Sequence, residues 1–178
     1  MSTSIDPTGS VVEILATLNP PPTNLHEPEF SGNDWKYAED CLNAGWVSSV
    51  GSYVDRFEEM LADYTGAKYA IATINGTASL HICLLLAGVM PDEEVLMPAL
   101  TFVATANAVS YCHAHPHFVD CEETTLGLDP DKLSTYLGEI ADVSDKGCFN
   151  KQTGRRIAAI VCMHAFGHPA KLDDLLSI

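Results

Sequence analysis

A layered α/β fold with a mostly parallel sheet is what this chain predicts. Two observations carry it. Short apolar runs of strand length alternate with amphipathic segments of helix length. And Lys68–His81, KYAIATINGTASLH, reads as strand, tight turn and helix in direct succession. In that stretch Tyr69, Ile71 and Thr73 fall on one face of an expected strand Lys68–Ile74, with Ala70, Ala72 and Ile74 on the other. Two largely apolar faces suit a strand buried between layers. Asn75-Gly76 breaks it, and Thr77–Ala87 follows as a helix closed by Gly88.

The remaining elements follow in order. Residues 1–10 read as loosely ordered, and Val11, Ile14, Leu15 and Leu18 form a short helical stripe ended by Pro20-Pro21-Pro22. Leu25–Gly32 is an extended arm. Asn33 or Asp34 caps a helix bearing Trp35, Ala38, Cys41 and Leu42, and Gly45 stops it. A Ser- and Gly-rich loop, Trp46–Gly51, leads to a helix from about Tyr53 to Thr65 with Phe57, Met60, Leu61 and Tyr64 at helical spacing. Glu94–Met97 is a strand that Pro98 closes; Thr101 caps the next helix, running through Cys112; Pro116–Asp120 is another strand. Asp129-Pro130 starts a helix as cap and first residue, with Leu133, Leu137 and Ile140 inward. Val143–Arg156 reads as a loop or small hairpin and Ile157–Met163 as a buried strand. After the turn His164–Pro169, Ala170–Ile178 begins a helix with Leu172, Leu175 and Leu176 facing the core.

Length and composition bound the function. The 178 residues are 47% hydrophobic, enough for a core. The net charge of −15 argues against nucleic acid, whose phosphates need clustered Lys and Arg. The six cysteines form no CxxC pair, no apolar run has the length of a membrane span, and no secretory leader opens the chain. A cytoplasmic setting is the expectation.

The expected helix at Thr77 supplies the first candidate site. A helix N-terminus leaves amide hydrogens free and carries partial positive charge, and Gly76, Thr77, Ala78 and Ser79 have no bulk to keep an anion away. Neither GxGxxG nor GxxxxGK[ST] is present, so a plain α/β turn with a Thr cap is the competing reading. Ligands of open α/β sheets sit outside the carboxyl ends of the strands, which here means Asn75–Ser79, Pro98–Phe102, Asp120–Glu123 and His164–His168. Phe102 is an aromatic there, read on its own as core. His113, His115 and His117 share a strand face, but Pro116 interrupts them and no usual ligand set is completed, so no metal is expected. His81 reads as a core residue.

The order of motifs says more. LHEPEFSGNDWKYAEDCLNAGWVSSVGSYVDRFEE (Leu25–Glu59), NGTASLH (Asn75–His81), MPALTFVATANAV (Met97–Val109), HFVDCEETTLGLDPDKL (His117–Leu133) and MHAFGHPAKLDDL (Met163–Leu175) occur in that sequence. Together they resemble the DegT–StrS family of nucleotide-sugar aminotransferases, which use pyridoxal 5'-phosphate (PLP). The branch most resembled is the one that aminates 4-keto groups on the way to bacillosamine or legionaminic acid. The resemblance implies the large domain of a fold type I PLP-transferase, with residues 1–24 an N-terminal extension and 25–178 the N-terminal part of that domain. It implies that Thr77 and Ala78 hold the cofactor phosphate and that Phe102 stacks on the pyridine ring. It places Trp46 and Ser48 on the sugar side and His164 near the cofactor. It also implies a 4-keto-6-deoxy nucleotide sugar as substrate, glutamate as amino donor, and a homodimer.

The family's Schiff-base lysine and the Asp that pairs with the pyridine nitrogen belong to later motifs that are not found, nor is the small C-terminal domain. The expectation is a truncated chain, inactive alone, with the last strand a sticky edge and solubility poor. Two other readings stand beside it: a non-catalytic fragment or pseudo-enzyme with a residual phosphate site, and a PLP-dependent sugar dehydratase with histidine in place of the lysine.

Overall fold

The computed structural model describes residues 13–17 and 27–178. The chain divides into two compact units, Met1–Ala70 and Ile71–Ile178.

In the first unit residues 13–17 are helical, with Ile14 and Leu15 exposed; Val11, Leu18 and the three prolines lie outside the described residues. Helix α1 spans Asp34–Ala44 and α2 spans Ser52–Thr65. Gly45 and Gly66 end them in the left-handed conformation, φ 73° and 71°, as the sequence predicts. The capping expectation for α1 is met in position only: Asn33 is the N-cap, but its side chain makes no capping bond. Tyr37 and Tyr53 bring the two helices together, ring centroids 5.0 Å apart, and the Tyr53 hydroxyl donates to Asp40 Oδ2 at 2.8 Å. Trp35, Phe57, Met60 and Tyr64 stay exposed.

The second unit is a three-layer sandwich. Its elements are α3 (Gly76–Leu86), β1 (Glu94–Pro98), α4 (Val103–Tyr111), β2 (His115–Val119), α5 (Pro130–Ile140), β3 (Ala141–Ser144), β4 (Gly147–Asn150), β5 (Ile157–Ile160) and α6 (Leu172–Leu176). The parallel sheet has the order β2-β1-β5, so β1 is central; β3 and β4 form an antiparallel hairpin. Side chains alternate across a strand, and β1 uses both faces. Val95 and Met97 pack on one side with Leu84 of α3 and Ala108 and Val109 of α4. Leu96 packs on the other with Val119, Leu128, Leu133, Ile140, Ile157 and Leu175. Asp129 caps α5 by accepting the Lys132 amide at 3.0 Å, with Pro130 at the first helical position, as predicted.

Several expectations are corrected. Lys68–Ile74 is assigned to no strand among the described residues, with bends at Lys68 and Ile74, and Tyr69, Ile71 and Ile74 are exposed. The apolar alternation there is real, but a strand exists only through a paired neighbour, and no described strand lies beside it. Thr101 does not cap α4: Phe102 holds that position, and the Thr101 hydroxyl bonds Thr105 Oγ1 at 2.8 Å and Met163 Sδ at 3.0 Å instead. The strand from Ile157 stops at Ile160 rather than Met163. In the final helix Leu175 is buried while Leu172 and Leu176 are exposed, because only one face of so short a helix meets the sheet.

Candidate cofactor site at the carboxyl ends of the strands

The turn before α3 is organised by short polar side chains. Asn75 is extended (φ −166°, ψ 169°), and its Oδ1 accepts the Ala78 amide at 2.9 Å. The Thr73 hydroxyl donates to Asn75 O at 3.1 Å and meets Ser79 Oγ at 2.5 Å. The amides of Gly76 and Thr77, the first two of the helix, find no acceptor among the described residues. A Cβ on Gly76 would meet nothing within 4 Å, so the approach to these amides is open.

Phe102 follows β1 at the start of α4. Its ring is 72% exposed, so the core reading from the residue alone gives way to an aromatic presented to solvent. Helices α3 and α4 pack together through Leu80, Leu84, Ala106, Ala108 and Val109. His164 stands after β5, exposed, and accepts the Ala170 amide on Nδ1 at 3.0 Å. Trp46 and Ser48 belong to the first unit, where they line a cleft of about 410 Å³ with Asp40, Ser52 and Tyr53.

Two lysines occur at this end of the sheet, and both are engaged. Lys132 Nζ lies 2.6 Å from Asp120 Oδ2, which raises the amine and lowers the carboxyl relative to their ordinary values. Lys171 Nζ lies 3.3 Å from Glu122 Oε2. The Glu122 carboxyl is pushed down to about 2 by the Thr125 hydroxyl first, then by the amides of Thr124 and Thr125, against a smaller opposing effect of burial. Sequence reading placed Glu122 only within a strand-end stretch. The ETT run, an acceptor followed by two Thr, was the available signal for such a self-bonded turn.

The three histidines considered for a metal are placed otherwise: His113 precedes β2, in the left-handed region at φ 57°, and so is not on the strand face. His115 Nε2 is 2.7 Å from Asp92 Oδ1, and His117 bridges Glu94 Oε2 at 2.8 Å and the Tyr136 hydroxyl at 2.9 Å. Among the described residues no group of three or more His, Cys, Asp or Glu could hold a metal ion, and no helix is long and apolar enough to cross a membrane. His81 is half-buried, edge-on to Tyr111 at 5.8 Å.

The residues present fit a phosphorylated aromatic group. The donor set is two open amides and the Thr77 hydroxyl at a helix N-terminus, which suits a phosphate. An exposed aromatic stands at the start of the neighbouring helix, which suits a flat ring.

Comparison with known proteins gives the same direction. The profile of the DegT/DnrJ/EryC1/StrS aminotransferase family matches residues 28–178. GDP-perosamine synthase of Caulobacter vibrioides is 35% identical over 158 residues, 89% of this chain and 38% of that protein. A putative pyridoxal phosphate-dependent aminotransferase of Bacillus subtilis, EpsN, is 33% identical over 154 residues, 86% of this chain and 37% of that one. The crystal structure of an aminotransferase from Psychrobacter cryohalolentis superposes with a TM-score of 0.68 at 26% identity, covering 84% of this chain and 34% of the other. The chain thus spans less than two fifths of the length of these relatives.

Proposed function

The chain belongs to the DegT/DnrJ/EryC1/StrS aminotransferase family, and from that premise we propose that it carries the phosphate-holding part of a PLP-dependent nucleotide-sugar aminotransferase. The observation that supports this most is the open N-terminus of α3, where Gly76 and Thr77 offer amides without an acceptor among the described residues. Thr77 adds its hydroxyl. Ala78 serves as a small residue, its amide already given to Asn75. With no basic side chain at this turn, the phosphate is held by neutral donors, the helix-start amides and the Thr77 hydroxyl, which suits an anion site in a strongly acidic chain.

Phe102 offers a face for the pyridine ring, and His164 a ring nitrogen beyond β5. Trp46 and Ser48 are assigned to the sugar side. When bound, the cofactor supplies the electron sink for moving an amino group; the protein's part is orientation and proton placement. The substrate is a 4-keto-6-deoxy nucleotide sugar of the 2-acetamido type, with glutamate as donor, for cell-surface glycan synthesis. The names of the relatives support the wider class, a GDP-sugar synthase and a PLP-dependent aminotransferase. A homodimer in the cytoplasm is part of the same proposal. No lysine of the described site is uncommitted, so the chain alone binds the phosphorylated cofactor without turning over.

Calorimetric titration with pyridoxamine phosphate tests this reading. Saturable binding by the wild-type chain, lost in Thr77→Trp with an unchanged thermal melt, is the expected outcome. No heat of binding in either protein contradicts it.

A further inference from the structure

The turn after β5 is held by contacts that the phosphate site does not require. Phe166 lies in the left-handed region (φ 50°, ψ 26°) and Gly167 follows at φ 85°. A non-glycine residue there costs energy and persists only when its surroundings dictate it. Here the turn closes on itself, Gly167 N–H donating to His164 O at 3.1 Å and His168 N–H to Ala165 O at 2.9 Å, and the residues just after it are met by the loop joining β2 to α5. Glu122, nearly buried, accepts from Thr124 N and from Thr125 N and Oγ1, which fixes its carboxylate. Its second oxygen meets Lys171 Nζ at 3.3 Å. Beside it, Gly127 packs against Ala170 so closely that an added Cβ would stand 3.0 Å from the Ala170 Cβ. Ala170 is buried, and its N–H donates to His164 Nδ1 at 3.0 Å.

These contacts form one chain of cause. The ion pair and the Gly127 contact hold Lys171 and Ala170 in place. The Ala170 amide then requires a lone pair on His164 Nδ1. A neutral imidazole carries one proton, so that proton sits on Nε2. We propose that Glu122 and Lys171 are positioning residues for His164, fixing its ring orientation and its Nε2–H tautomer so that it presents a donor at the carboxyl end of β5. The use made of that donor, toward an acceptor oxygen of the ligand, rests on the aminotransferase reading; the positioning does not, and it is measurable without ligand.

The experiment is nitrogen-15 NMR on the labelled chain at mildly alkaline pH, with His164→Gln used to assign the ring. The expected result is a nitrogen–nitrogen coupling across the Ala170 N–H to His164 Nδ1 hydrogen bond, with the ring proton on Nε2. In Lys171→Met the coupling weakens and the Ala170 amide exchanges faster by about threefold, while Lys171→Arg keeps the wild-type values. Glu122→Gln, which retains an acceptor for Thr125 but loses the charge, behaves like Lys171→Met. A ring proton on Nδ1 overturns the proposal. So does a coupling and exchange rate that neither Lys171→Met nor Glu122→Gln alters.

Discussion

At the amino end of β1, Glu94 is 3% exposed, and its carboxylate takes hydrogen bonds from three sides: the Thr153 hydroxyl, Asn150 Nδ2 at 2.9 Å and the His117 ring at 2.8 Å. His117 passes the network on to Tyr136 of α5. Around it, Arg156 pairs with Glu93 at 3.0 Å and Arg155 with Asp92 at 3.1 Å. At the carboxyl end of the same strand the chain turns into Phe102, exposed, and the neighbouring helix begins with amides that have no acceptor among the described residues. One end of the sheet satisfies its polar groups from within; the other leaves donors and an aromatic face open. The contrast teaches where each kind of cost falls. Polar groups buried at the amino end must be paired for the fold to stand, whereas open groups at the carboxyl end are solvated and become useful when a ligand arrives.

The largest effect is expected from breaking the closed end. Glu94→Ala leaves Asn150, Thr153 and His117 facing a cavity without an acceptor and should cost about 3 kcal/mol, read as a lower urea midpoint. Phe102→Ala, at the open end, should stay within about 0.5 kcal/mol of wild type in the same assay. Equal losses would erase the comparison.

Acid should weaken both ends. Burial raises the Glu94 carboxyl, but the bonds from Thr153, Asn150 and His117 outweigh it and leave the group below its ordinary value. Glu122 falls from 4.5 to about 2. Both folded values lie below the unfolded ones, so the stability they contribute is complete above the unfolded value. It is lost as pH falls through the folded one. Melting temperature should therefore decline from about pH 4.5 toward pH 2. Glu122→Gln should flatten the lower part of that slope; an unchanged slope would remove Glu122 from the account.

A change in the loop after β2 sharpens the contrast further. Gly127→Ala drives a methyl into Ala170 and should cost about 1–2 kcal/mol by overpacking. The smallest effect is expected at the open end: Phe102→Ala should weaken pyridoxamine phosphate binding by about three- to tenfold, the worth of one aromatic stacking contact. Calorimetry reads it directly.

Much of this architecture was legible from local chemistry. Asp129-Pro130, Gly45, Gly66 and Gly88 mark helix boundaries because cap and left-handed positions restrict which residues fit. The small residues around Thr77 announced an accessible helix start. What the sequence could not convey is pairing. Lys68–Ile74 has a strand's alternation yet joins neither sheet of the described residues, and nothing in its own residues reveals that. Nor does HPH in β2 disclose that His117 is spent on Glu94, which lies 23 residues away, or that Glu122 reaches Lys171. Such contacts depend on which strands become neighbours.

The central claim is that the Gly76 and Thr77 amides seat a phosphate. Its most direct measurement is amide nitrogen–proton NMR during titration with pyridoxamine phosphate, and in parallel with pyridoxamine, which lacks the phosphate. The account predicts saturable shifts at Gly76 and Thr77 with the first compound and none there with the second. Shifts at neither residue, or equal shifts with both compounds, would contradict it.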